Sequence, residues 1–283
     1  AQRADKELAA QPAMRAEIEG TIADSYASIG EYAMADAHYA QAVDAARSSG
    51  DGPALRARLT ARAATNLNNQ NRAKEALPLA KQAFSLAQAL PEDNPDRLDV
   101  ESALAFAETQ SGLAETARAR YQRVLALQRR VVGDDNSATL ATLSGLASVD
   151  TDLAHLDEAR PLLEELVERN RRLHGEENSG TLSAVNSLAI VAAMQNRFAD
   201  AEALLAPQMP IYERVFGKDH PLTLRAVSNL GSFIRQQGRN EEARPYYERT
   251  VALAEKLYGP TNPTTVLARS NLSLLLRDAG DLT

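Results

Sequence analysis

Apolar residues recur along the chain at the three- and four-residue spacing of one helix face, and short polar segments separate successive stretches. The clearest pair of stretches has its apolar positions at Leu224, Val227, Leu230, Ile234, Ala243, Tyr247, Val251 and Ala254. Gly238 lies between the two stretches and tolerates the positive φ of a tight turn. The pattern therefore predicts two helices joined as a hairpin.

The hairpin repeats with a fixed period, because four glycines stand 42 residues apart and open similar segments: GDDNSATL at Gly133, GEENSGTL at Gly175, GKDHPLTL at Gly217 and GPTNPTTV at Gly259. Glycine suits the left-handed conformation that ends a helix, and an asparagine three residues later can cap the next helix. The cap position holds Asn136, Asn178, His220 and Asn262, and Pro221 and Pro263 follow at the first helical position. Each segment is predicted to join two hairpins.

Two further markers extend the period over nearly the whole chain. Alanines recur in the second helix at Ala35, Ala76, Ala117, Ala159, Ala201 and Ala243. A usually large residue followed by Ala, Gly or Ser recurs in the first helix at Ile22, Ala63, Leu104, Leu146, Leu188, Leu230 and Leu272. The markers predict units at about 13–53, 54–94, 95–136, 137–178, 179–220 and 221–262, an incomplete unit at 263–283, and a flanking helical segment at 1–12. The turns within the units are predicted at Gly30, Asn71, Gly112, Asn196, Gly238 and Gly280, with Ala154 as the exception.

Prolines occur at two kinds of position within the second helices. Pro78, Pro161 and Pro245 follow the marker alanine by two residues, and we expect them in the first turn of their helices, where proline is tolerated. Pro207 and Pro210 fall in the middle of the second helix of the fifth unit, so a kink or break is predicted near Met209. A local distortion absorbed by packing is the favoured interpretation, and a hinge is the alternative.

The large–small pair, the recurring alanine and the turn between them resemble the tetratricopeptide repeat (TPR) over about residues 13–283. The period and the stretch GKDHPLTLRAVSNLGSFIRQQGRNEEARPYYERTVALAEKLYGPTNP are similar to the longer subclass of kinesin light chains and many bacterial proteins. The resemblance implies an all-α fold, an α-solenoid wound as a right-handed superhelix of about six and a half hairpins. It also implies a concave face, lined by the first helices, that binds a protein or an extended peptide.

The opening RADKELAAQPAMRAEIEGTIADSYASIGEYAMADAHYAQAV is similar to the repeat regions that follow the kinase and membrane segments of bacterial serine/threonine protein kinases. This resemblance implies a sensory or docking region, with any kinase domain outside these residues, on the periplasmic side of an inner-membrane protein or, alternatively, in the cytoplasm. GDLT stops where the second helix of unit seven is expected to begin, which indicates a fragment or a lost closing helix. Leu272, Leu275 and Leu276 are then expected to lack their usual partner helix.

Composition and charge narrow the chemistry. The absence of cysteine excludes disulfides, thiolate metal sites and cysteine nucleophiles, and a net charge of −7 argues against nucleic-acid binding. No apolar run reaches the roughly 20 residues that span a bilayer, so we expect a soluble segment without membrane insertion. His38, His155, His174 and His220 are isolated from one another, and no phosphate loop, His-Glu-x-x-His pair or Gly-x-Ser-x-Gly elbow is present. We therefore predict no catalytic residue, metal or cofactor in this chain.

The resemblance places a ligand-binding groove on the first helices. Its candidate residues are Arg225, Asn229, Ser232, Arg235, Asn271, Arg277, Asn186, Ile190, Met194, Arg58, Arg62, Asn68, Asn69 and Phe106. Asparagine can pair with both the N–H and the C=O of an extended peptide, and arginine can grip a carboxylate. The set suits a peptide with an acidic group, although each residue alone could simply belong to a solvated helix face.

Other readings stay open at this point. Ser144, Gly145, Ser148 and Thr151 make the middle of the face small and polar, which either admits a ligand backbone or, as we favour, reflects tight packing. A self-assembling structural array and a small-molecule sensor are the alternative functions. The sequence sets no oligomeric state.

Overall fold

The computed structural model describes residues 11–50 and 52–279, and every regular element in that part of the chain is helical. The α-helices are α1 (Pro12–Ser28), α2 (Tyr32–Ser48), α3 (Pro53–Asn69), α4 (Ala73–Ala87), α5 (Pro95–Gln110), α6 (Ala114–Val131), α7 (Ser137–Asp152), α8 (Leu156–His174), α9 (Ser179–Met194), α10 (Phe198–Leu205), α11 (Met209–Val215), α12 (Pro221–Gln236), α13 (Asn240–Tyr258) and α14 (Pro263–Ala279). The all-α prediction is confirmed. Residues 1–10, most of the predicted flanking segment, lie outside the described residues, and Pro12 already belongs to α1.

The chain divides into two compact units, Ala1–Leu153 and Ala154–Thr283. In the first unit α1 pairs with α2, α3 with α4 and α5 with α6, and each second helix also packs against the first helix that follows it. In the second unit α8 packs on α9, α9 pairs with α10, α12 pairs with α13, and α13 packs on α14. Within each unit the hairpins therefore stack in chain order.

The joints between hairpins have the left-handed glycines and the helix caps that the sequence predicts. Gly133, Gly175, Gly217 and Gly259 all have positive φ. The main-chain N–H two residues after each cap donates to the cap side chain at 2.8–3.1 Å; the caps are Asn136, Asn178, His220 and Asn262. Six residues after each glycine, a buried threonine hydroxyl donates to the glycine carbonyl at 2.7–2.8 Å; these residues are Thr139, Thr181, Thr223 and Thr265. These hydrogen bonds explain why a threonine recurs at this position of the segment, which the sequence analysis did not account for.

The turns within the hairpins are left-handed, as their residue types predict. The positive-φ positions include Gly30, Asn71, Gly112, Ala154, Asn196 and Gly238, and Gly280 lies outside the described residues. Ala154 adopts a φ of 59°, where its Cβ crowds the following carbonyl oxygen. The fourth turn is therefore strained where the others use glycine or asparagine.

Replacing Ala154 with glycine should raise the free energy of unfolding by about 1 kcal/mol, because glycine adopts this conformation without the Cβ penalty. Chemical denaturation followed by circular dichroism measures the change. Gly112→Ala is the reverse control: its φ is 77° and an added Cβ would meet no atom within 4 Å, so only the backbone penalty applies. Equal stability of wild type and Ala154→Gly would show that the turn is unstrained.

The marker residues form the interior of the stack. All six marker alanines are completely buried. The large position is buried at Leu104, Leu146, Leu188 and Leu230, whereas Ile22, Ala63 and Leu272 are half-buried. The small residue that follows is buried in the six pairs before Leu272. Alternation of large and small side chains lets neighbouring helices approach closely.

The placement of three prolines differs from the prediction. Pro78, Pro161 and Pro245 lie inside α4, α8 and α13. They are in the second turn because each helix begins three residues before its marker alanine. Each proline removes one main-chain hydrogen bond to the carbonyl four residues earlier, and the helix continues beyond it.

Pro207 and Pro210 break their helix as predicted. A 3₁₀ turn at Ala206–Gln208 separates α10 from α11. Leu205 before the break and Tyr212 after it are both buried in the same apolar core, and the Tyr212 hydroxyl donates to the Leu182 carbonyl at 2.9 Å. Both halves are thus anchored to one core, which supports a local distortion over a hinge.

The leucines of α14 are better packed than predicted. Leu275 is buried and Leu272 is half-buried in the core that contains Leu230, Ile234 and Tyr247. The usual partner, a second helix of unit seven, is not among the described elements, and the preceding helices cover Leu272 and Leu275 in its place. The exposed apolar side chains of α14 are instead Val266 and Leu267.

Candidate functional site

The first helices of the N-terminal compact unit form a cleft of about 440 Å³. Its lining residues, which we call the N-terminal cleft, are Asp24, Ala27, Ser28, Tyr39, Arg58, Ala61, Arg62, Thr65, Asn66, Asn69, Asp99, Val100 and Ala103. They come from α1, α3 and α5, together with Tyr39 of α2. Three predicted groove residues, Arg58, Arg62 and Asn69, are brought together here.

Both arginines of the N-terminal cleft already have acidic partners. Arg62 Nη1 lies 2.9 Å from Asp24 Oδ2, and Arg58 pairs with Glu17 and, at 3.5 Å, with Asp96. The Tyr39 hydroxyl donates to Asp24 at 2.6 Å. Burial and this hydrogen bond raise the pKa of Tyr39 well above its usual value. The arginine forks of this cleft are therefore occupied within the protein.

A second cleft, of about 430 Å³, adjoins the first and shares Thr65 and Ala103 with it. Its other lining residues are Ser102, Phe106, Thr109, Gln110, Tyr121, Ala141, Ser144, Gly145 and Ser148. A Cβ on Gly145 would lie within 2.8 Å of three atoms of the Tyr121 ring. Gly145 is therefore required for helix packing, and Thr151 hydrogen-bonds to its own helix at the Ala147 carbonyl.

The C-terminal compact unit carries a separate cleft of about 380 Å³ on α12, α13 and α14. We call its lining residues the C-terminal cleft: Pro221, Leu222, Leu224, Arg225, Ser228, Asn229, Thr250, Tyr258, Thr264, Leu267, Ala268 and Asn271. Arg225 is exposed, and no carboxylate lines this cleft. Within the described residues neither Arg225 nor Asn271 has a hydrogen-bond or ion-pair partner. The cleft thus presents a free guanidinium and a free amide beside apolar surface.

The remaining predicted groove residues lie outside these three clefts. Asn68 is buried, and neither atom of its amide has a partner, so its assignment to an open groove face does not fit the structure. Asn186 is also buried and accepts a hydrogen bond from Asn229 at 3.0 Å, which links α9 to α12. Ile190 packs against the core. Ser232 and Arg235 are half-buried, whereas Met194 and Arg277 are exposed.

Residues 96–169 and 223–283 match one tetratricopeptide repeat model, and residues 181–222 match a second. Together these segments make up more than half of the chain. The chain belongs to the tetratricopeptide repeat family. Among curated proteins, none matches the sequence.

Solved structures share the TPR fold at low sequence identity. The TPR-like repeats of a Podosopora anserina protein described as a kinesin light chain match with a TM-score of 0.63 and 23% identity, covering 74% of this chain and 99% of that one. BtubC (BKLC) from P. vanneervenii matches with a TM-score of 0.62 and 18% identity, covering 87% of this chain and 94% of that one. A Rap protein in complex with competence and sporulation factor matches with a TM-score of 0.62 and 11% identity, covering 94% of this chain and 76% of that one. The structural neighbours thus include kinesin-light-chain-like TPR proteins.

The TPR fold is typical of protein–protein interaction and is typically non-catalytic. In the described part of the chain, no group of three or more His, Asp or Glu residues is arranged to hold a metal ion. None of the described helices has the length and apolar character needed to cross a bilayer. His220, which directly precedes Pro221 of the C-terminal cleft, serves as a helix cap.

Sequence reasoning missed several residues of the clefts: Asp24, Tyr39, Asn66, Asp99, Tyr258 and Leu267. Asp99 could have been found, because it lies five residues before the large position of its hairpin, the same repeat position as Arg58 and Arg225. Asn66 could also have been found, since the equivalent residues of the later units are all apolar: Ala107, Val149, Val191, Phe233 and Leu275. A polar residue at a core position of a repeat is unusual enough to follow up.

Proposed function

We propose that this chain is a non-catalytic scaffold that binds extended protein segments along clefts on the first helices of its TPR hairpins. The observation that carries the proposal is the C-terminal cleft, where hydrogen-bonding groups without partners stand beside apolar side chains. Such groups are suited to the polar backbone of an extended peptide. The Rap neighbour, which forms a complex with competence and sporulation factor, supports the use of this fold for binding.

The chemistry of the C-terminal cleft favours a segment with an acidic side chain. Arg225 offers a planar guanidinium that can bind a carboxylate through two hydrogen bonds, and no neighbouring acidic residue of the cleft competes for it. Asn271 can pair with the ligand backbone on both its donor and acceptor sides. Leu267 and Tyr258 are exposed beside them and can cover an apolar neighbour of the acidic residue.

Arg225→Gln should remove the preference for acidic peptides. The test is an array of immobilised peptides about ten residues long, each with Glu, Gln or Lys fixed at one position, probed with the purified full chain at low and physiological salt. Wild type is expected to bind the glutamate set about tenfold to a hundredfold better than the glutamine set, the usual difference for one charge-assisted contact. The variant is expected to bind the two sets equally.

Arg130→Gln provides the matched control, because Arg130 is exposed on α6 and lines none of the described clefts. It should leave the glutamate preference unchanged. Wild-type binding that ignores the fixed residue would refute an acidic ligand. A glutamate preference that survives Arg225→Gln would move the site away from this cleft.

We also propose that the parent protein is a bacterial serine/threonine kinase in which this array forms a periplasmic sensory or docking region. The support is the similarity of residues 3–43 to repeat regions that follow kinase and membrane segments. Sequencing the gene upstream of Ala1 tests the assignment. A kinase domain and a hydrophobic span are expected there, and a reading frame without them would remove it.

A further inference from the structure

The N-terminal cleft differs in charge from the C-terminal cleft. Its two arginines are paired with Glu17, Asp96 and Asp24. The lining nevertheless contains one more carboxylate, that of Asp99. Among the residues that surround this cleft, the acidic groups therefore outnumber the arginines.

Asp99 has no cationic partner within ion-pair distance in the described part of the chain. Its contact is with Gln128, whose Nε2 donates to Oδ1 at 3.3 Å. Although solvent reaches Asp99, burial against the surrounding protein raises the pKa of its carboxyl and the charge of Asp96 adds to that effect, whereas the Gln128 hydrogen bond and the charges of Arg62 and Arg58 lower the pKa. In the described part of the chain the carboxylate thus makes no direct ion pair, and it is open to a cation that enters the cleft.

Asn66 supplies a second group without a partner on the wall of the same cleft. Its side chain is only 2% exposed. Its Nδ2 donates to Asp36 Oδ1 at 2.6 Å and to the Tyr32 carbonyl at 3.1 Å, whereas its Oδ1 receives no hydrogen bond. A buried carbonyl oxygen without a donor is costly, so the site favours a ligand that brings an N–H group.

We propose that the N-terminal cleft is a subsite for a cationic side chain, lysine or arginine, held by the Asp99 carboxylate and the Asn66 amide oxygen. The proposal extends the peptide-binding function inferred above. The Arg58 Nε–H, also buried without an acceptor, is left to donate to a backbone carbonyl of the same segment. The two clefts then select side chains of opposite charge.

The probe is acetyl-Ala-Arg-Ala-amide, titrated into the full chain and followed by amide chemical shifts at low salt. Acetyl-Ala-Gln-Ala-amide is the neutral counterpart. We expect the arginine peptide to shift residues of α1, α3 and α5, and the glutamine peptide to bind at least about tenfold more weakly. Asp99→Asn, which keeps the size of the side chain, should reduce the affinity for the arginine peptide to that for the glutamine peptide.

Asp93→Asn is the matched control, because Asp93 is exposed in the loop before α5 and lines none of the described clefts. It should leave both affinities unchanged. Equal binding of the arginine peptide by wild type and Asp99→Asn, or equal binding of the two peptides by wild type, overturns the subsite. If Asp99→Asn alone loses the arginine peptide while the Arg225→Gln array shows no effect, the subsite stands and the acidic-peptide proposal fails.

Discussion

Arg120→Met is expected to lower the free energy of unfolding by about 3–5 kcal/mol, because it leaves a buried carboxylate without its cation. Arg120 of α6 makes two hydrogen bonds to Glu108 of α5, both at 2.9 Å, and a third to Glu101 at 3.3 Å. Its guanidinium also lies over the Phe84 ring of α4, 5.1 Å from the centroid. Methionine replaces the volume of the side chain but not its charge.

Glu108 is the residue most affected. Its side chain is 4% exposed and its ion pair is with Arg120, whereas Glu101 keeps a second partner in Arg123 at 2.5 Å. Guanidinium chloride unfolding measures the loss. Arg160→Met breaks a surface pair with Glu164 of the same helix and should cost less than about 1 kcal/mol. The double change Arg120→Met with Glu108→Leu should recover much of the loss, and a single variant as stable as wild type would contradict the analysis.

Leu230→Ala is expected to cost about 2–5 kcal/mol, because it opens a cavity in the core of the C-terminal compact unit. Leu230 is 1% exposed and contacts a cluster that includes Leu205, Tyr212 and Leu275. Repeat arrays are stabilised by neighbouring contacts, so the loss should concentrate in residues 154–283. Hydrogen exchange should show faster opening there, with the protection of residues 11–153 retained.

Leu267→Ala is the control for the same change of side chain. Leu267 is 61% exposed, so its removal should alter the unfolding free energy by less than about 0.5 kcal/mol. Should Leu230→Ala unfold at the same denaturant concentration as wild type, the assignment of Leu230 to a close-packed core is wrong.

The fold could be predicted from the sequence because the motifs that determine it are local and repeated. A glycine that ends one helix and an asparagine that caps the next need only their immediate neighbours, so the joints from Gly133 to Gly259 were predicted correctly. The start of the second helices was harder. No capping motif in the sequence marks the residue at which a second helix begins. Pro78, Pro161 and Pro245 were therefore placed one turn too early.

The candidate site could be predicted only in part, because the ion-pair partners of its residues lie in neighbouring hairpins. Arg58 meets Glu17 across 41 residues, and no local pattern reveals that its charge is already used. Asn68 and Asn69 were both assigned to the groove, yet consecutive residues of a helix point about 100° apart. The cleft includes Asn69, and Asn68 faces the interior.

The glycine–threonine joint has a consequence for how such a chain changes in length. The cap bond and the threonine bond both form between the glycine and the first turn of the next helix. A 42-residue block that begins at one of these glycines therefore contains every residue of its own joint. Duplication or deletion of one block would join one glycine segment to another of the same kind. Recombination at these glycines would therefore lengthen or shorten the array by whole hairpins, and a block inserted at Gly259 would separate the two parts of the C-terminal cleft.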